Sequence, residues 1–130
     1  MNEPPSIRLI RLMIYLNALL WLLFVLITGV GAHPSYPIGS TYHLPMALAA
    51  FMGTAVLIAL AWLLRKPSPL AFWASVAFLA VTILMALFDE VGPADLAFIL
   101  ATLLPLVFLI RNRTWYLQPS APAEKPKRAA

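Results

Sequence analysis

Five side chains able to hold a metal or move a proton fall in two short stretches. His33 and His43 lie in one, and Asp89, Glu90 and Asp95 in the other. Imidazole nitrogens and carboxylate oxygens together make a sensible ligand set for a divalent cation. The candidate metal set is therefore His33, His43, Asp89 and Glu90. The spacing adds little: Pro34, Pro37 and Gly39 separate the two histidines, with no helical i,i+4 relation between them. The plain alternative is that a loop outside a membrane needs polar residues. Asp95 has a local explanation, because an anion in the first turn of a helix is favoured by the macrodipole. Asp89 and Glu90, at a helix C-terminus, oppose it.

The elements that would position these residues are four long apolar segments. The chain has 130 residues, 62% of them hydrophobic, which excludes an ordinary soluble domain. A bilayer core takes roughly 20 apolar residues per helix, so four spans use most of the chain. Spans are expected over about 12–30, 44–64, 69–88 and 94–110. All nine basic residues fall on one side of them: Arg8 and Arg11, then Arg65 and Lys66, then Arg111, Arg113, Lys125, Lys127 and Arg128. The positive-inside rule then puts both termini in the cytoplasm and the histidines and acids on the opposite face.

The boundaries carry their own signals. Residues 1–7 are polar and proline-containing and read as a short disordered leader. Ser68 is a good N-cap and Pro69 a good first helical residue. Gly92-Pro93 breaks the chain before the fourth span. The tail from Leu117 onward, rich in Pro, Ala and Lys, reads as a disordered cytoplasmic segment. Val30-Gly31-Ala32 resembles a signal-peptide cleavage site, but the first apolar stretch is long for a secretory h-region. Tyr15, Trp62, Trp73, Trp115 and Tyr116 mark the inner boundary, and Tyr36, Tyr42 and Phe88 the outer one. Trp21 lies deep in the first span, where its N–H needs a partner.

Within the spans the polar residues are Asn17, Thr28, Thr54, Ser75, Thr82 and Thr102. Ionisable side chains inside a membrane are the usual sign of a proton or ion path. Tyr15, near the inner boundary, is the one such residue here, and small-solute transport is the weakest class. The embedded acid of small multidrug transporters is lacking: the first span has Asn17 in its place. Asn17 is read as an interhelical hydrogen bond in preference to a ligand contact. The absence of cysteine excludes disulfide exchange, thiolate metal sites and iron–sulfur clusters. No bundle cofactor is expected, since both histidines lie in or beside the first outer loop, and nucleic acid is not an expected partner. Small residues at spacing four, Ala49 with Gly53 and Ala97 with Ala101, mark helix-packing faces. Pro105 should kink the fourth span, and Thr102 is placed to satisfy the carbonyl it frees.

The stretches FDEVGPADLAFIL (Phe88–Leu100) and RNRTWYL (Arg111–Leu117) resemble small bacterial four-helix membrane proteins of no assigned activity. That resemblance implies a bacterial inner-membrane location and a four-helix fold, and it transfers no catalytic residue. The resulting expectation is an all-α membrane protein, a four-transmembrane-helix bundle with both termini cytoplasmic. Its expected role is non-enzymatic: an accessory or structural subunit that packs with itself or with a larger membrane complex, in contact with membrane lipid. The alternative is an outer-face metal or small-ligand site.

Overall fold

The computed structural model describes residues 2–88 and 91–119. Its elements are α1 (Pro5–Gly29), α2 (His43–Leu63), α3 (Pro69–Phe88), α4 (Pro93–Arg111) and the short α5 (Arg113–Tyr116). The four long helices are each long and apolar enough to cross a membrane. The chain is a multi-pass, all-α membrane protein, and its four long helices form a bundle.

Three spans start and end within a residue of the expected limits. The first does not. α1 begins at Pro5, so the last three residues of the supposed leader are helical. The reason is local. Pro5 at the first helical position needs no N–H partner and has φ already set for a helix. Beyond it, Ile7, Ile10 and Ile14 recur at helical spacing and are fully buried. At 1.5 Å per residue, the 25 residues of α1 extend about 38 Å, more than the roughly 30 Å of a hydrocarbon core.

Neighbouring helices run antiparallel around a ring. α1 packs on α2 and on α4, and α3 packs on α4, while α2 and α3 touch only sparsely. The buried residues of α3 explain that asymmetry. Ala71, Phe72 and Ser75 lie in its first half and Leu79 just past its middle. In its second half Val81, Leu84, Met85, Leu87 and Phe88 stand exposed. The bundle is therefore closed on three sides and nearly open along the fourth.

Side chains satisfy helix ends that would otherwise leave backbone groups unpaired. The Ala71 N–H donates to Ser68 Oγ at 3.3 Å, confirming the cap before α3. The Gly92 N–H donates to Asp95 Oδ2 at 2.9 Å, so Asp95, in the first turn of α4, caps the helix as well as complementing its macrodipole. Asn112 Nδ2 donates to the Phe108 carbonyl at 2.8 Å and closes α4. The α5 turn that follows is not signalled in the sequence, where Arg113 marks only the basic side and Trp115 and Tyr116 only the inner boundary. It folds back so that Tyr116 is fully buried and stacks on Phe72, ring centroids 5.8 Å apart.

Candidate functional site

At the acidic end, α1 ends at Gly29 and the chain turns through Gly31, whose φ of +71° suits glycine. The turn brings His33 beside the end of α1. Its ring lies edge-on to Phe24 (5.3 Å) and stacked on Tyr36 (5.0 Å). His33 Nδ1 accepts a hydrogen bond from the Ser35 N–H at 3.2 Å. His33 is thus held against its own loop and the end of α1 through one nitrogen, a stack on Tyr36 and an edge contact with Phe24. His43, the first residue of α2, is buried, and its Nε2 has no hydrogen-bond partner. Ser40 Oγ, in the same loop, is also buried and unpartnered. Asp89 and Glu90 lie outside the described residues. Among the described residues no three metal-ligating side chains come together.

In the middle of the bundle a buried polar contact joins α1 to α4. Asn17 is buried, and its Nδ2 donates to Thr102 Oγ1 on α4 at 2.9 Å. This is the interhelical bond expected from sequence, and it joins the first hairpin to the second. The Thr102 hydroxyl in turn donates to the Phe98 carbonyl at 2.9 Å. That corrects the role given to Thr102 beside Pro105. A helical hydroxyl reaches the carbonyl four residues back, Phe98, and not that of its own predecessor, Ala101. α4 continues through the buried Pro105 to Arg111.

One turn along α1 from Asn17, Trp21 packs across the α2 interface. A Cβ added at Gly53 would lie 2.5 Å from its ring. The same indole reaches Phe98 of α4 at 5.8 Å. Gly53 is therefore a packing residue, but its partner is this chain's own Trp21. The other small residues are placed differently: Ala49 and Ala97 are exposed, and Ala101 is half-buried. Asn17 Oδ1, Trp21 Nε1 and Thr28 Oγ1 are all buried without hydrogen-bond partners. They occupy one face of α1, from mid-span toward the acidic end. Buried polar atoms are normally paired, so this row is where a bound water or a small polar ligand would gain most.

No known protein family, curated protein or solved structure matches this chain. What it can do is read from the geometry.

The basic end holds a network that sequence reasoning missed. Arg11 Nε donates to the Ala61 carbonyl of α2 at 2.8 Å. Its Nη1 donates to both carboxylate oxygens of Glu3, each at 2.8 Å. A cation at the C-terminus of α2 suits the macrodipole and pairs with a carbonyl that has no helical donor. Arg11 also lies 6.0 Å from the centre of the Tyr15 ring. Tyr116 is packed into the same end of the bundle, its hydroxyl unpartnered. Burial pushes its phenol well above the usual value. Glu3 adds to that shift and Arg11 opposes it. In the sequence Arg11 served only as a topology marker and Tyr116 as an interfacial ring. A clue was present: Arg11 falls between Ile10 and Ile14, on the edge of a buried face, where a solvated charge would not be placed.

Proposed function

We propose that this chain is a non-enzymatic accessory subunit of the membrane, assembling with copies of itself or with a larger membrane complex. Its place is the bacterial inner membrane, with the basic end and both termini cytoplasmic. The observation that carries the reading is the open side of the bundle. α2 and α3 barely meet, and the second half of α3 presents Leu84, Met85 and Phe88 outward. Within lipid there is no hydrophobic drive to cover such a face, so close packing selects its occupant. A further helix would complete the ring there. The nine basic residues on one side support the orientation.

The chain lacks cysteine, which makes the test clean. Single cysteines introduced by Met85→Cys and Ala49→Cys, oxidised in native membranes, are expected to give covalent adducts. Leu12→Cys, on the outer side of α1, is expected to give none. Equal adduct yields at all three positions, or none at any, would end the reading.

A second reading has one observation in its favour, the buried and unpartnered Nε2 of His43. It makes the acidic end a site for a divalent metal or a small ligand, shared by His43, His33, Asp89 and Glu90. On this reading His43→Ala removes bound metal from protein purified without chelator, as measured by elemental analysis. Unchanged metal content would leave the loop as mere polar surface.

A further inference from the structure

At the basic end a groove runs between α3 and the α4–α5 corner. Phe72, Trp73 and Val76 of α3 line it, with Ile110, Arg113 and Leu117 on the other side. Its volume is about 430 Å³, within the roughly 300–1,000 Å³ of ligand clefts. The lining is apolar except for the guanidinium of Arg113 and the indole N–H of Trp73, both on exposed residues at the mouth.

We propose that this groove binds one anionic phospholipid, its phosphate on Arg113 and one acyl chain along Val76 and Ile110. Three features select that occupant. The groove lies at the end of the spans, where α3 begins and α4 finishes, at headgroup depth. A guanidinium offers planar paired donors to phosphate oxygens, and an indole at this depth can donate to a lipid ester or phosphate. Among the described residues the one ion pair is Arg11 with Glu3, so Arg113 is not paired there. Position is fixed by the fold as well. Tyr116, locked against Phe72, holds α5 as a corner and holds Arg113 over the groove. Arg65, Lys66 and Arg111 lie at the same end and add a general attraction for anionic lipid. The groove adds a defined place for one molecule. This inference does not depend on the accessory-subunit reading.

The test is native mass spectrometry of the full chain, released from nanodiscs of phosphatidylglycerol and phosphatidylcholine in equal parts. The expected result is one retained phosphatidylglycerol per chain, in preference to phosphatidylcholine. Arg113→Gln should lower its occupancy about fivefold, the weight of one basic residue at an anionic surface. Arg113→Lys should keep part of it, and Arg65→Gln should leave it unchanged. Val76→Trp, which fills the groove and leaves the charge, should also expel the lipid. Equal retention of both lipids, or equal losses with Arg113→Gln and Arg65→Gln, would overturn the proposal. So would a second protein chain in place of the lipid, released by Arg113→Gln.

Discussion

Gly53→Leu is expected to cost this protein about 3 kcal/mol of stability, at the upper end of what overpacking a core costs. The argument rests on what already occupies the space. A Cβ at position 53 would meet the Trp21 ring at 2.5 Å, before any of the remaining leucine atoms are placed. Indole is rigid and has few rotamers, and this one is backed by Phe98 of α4. Moving it disturbs the packing of α1 on α2 and on α4. Gly53→Ala should therefore destabilise too, by a smaller amount. Unfolding by denaturing detergent, followed by loss of helical circular dichroism, measures both. The mechanism has its own check. Shrinking the ring with Trp21→Leu in the Gly53→Leu background should restore part of the loss, a coupling of about 1 kcal/mol or more. Strictly additive losses would show that the indole is not what Gly53 accommodates. Because the clash lies within one chain, the effect is expected in the monomer. Ala49→Leu, on the exposed part of the same helix, should leave monomer stability almost unchanged.

That contrast shows how far the sequence could be read. Ala49 and Gly53 lie within about 40° of one another around a helix, so spacing alone treats them as one packing face. Which of them is covered depends on where the neighbouring helix crosses, and periodicity does not carry that information. The four spans were legible because lipid imposes a minimum apolar length on every helix that crosses it. The start of α1 was not, because hydropathy falls where the lipid ends while a helix continues as long as its backbone bonds and its packing allow. Ile7, fully buried more than a turn before the expected start, is the evidence for that difference. Asn17 was legible as an interhelical bond because an amide inside a membrane must pair. Its partner was not, since Thr28, Thr54, Thr82 and Thr102 are alike in one dimension. The contacts of Arg11 and Tyr116 were not legible for the same reason. A residue type that suits the membrane boundary was given a boundary role, when folding had drawn both into contacts within the chain.

Tyr116 makes the sharpest separation between a side chain's bulk and its polarity. Tyr116→Ala is expected to cost about 3–5 kcal/mol, as for other large aromatic truncations in cores. It removes a fully buried ring from its stack on Phe72 and its edge contact with Trp115 at 4.8 Å, and it frees α5. Tyr116→Phe is expected to do the opposite. The hydroxyl is buried with no hydrogen-bond partner, so folding strips it of water and returns nothing. Removing it should stabilise the protein by about 1 kcal/mol. A loss of that size would instead show that the hydroxyl is satisfied, with a water or with Glu3. Alkaline titration gives an independent readout. Burial raises the folded-state pKa of the phenol above its ordinary value near 10. Above about pH 10 the unfolded chain gives up this proton while the folded chain keeps it. Stability must then fall as pH rises, and the contribution is complete below that pH. Other groups titrate in the same range, so the diagnostic quantity is the difference between the parent protein and Tyr116→Phe. Their stabilities should run parallel up to about pH 10 and diverge above it, with the phenylalanine variant losing less. Parallel curves throughout would mean that the phenol ionises as freely in the folded protein as in the unfolded chain, and that α5 does not seal it from water.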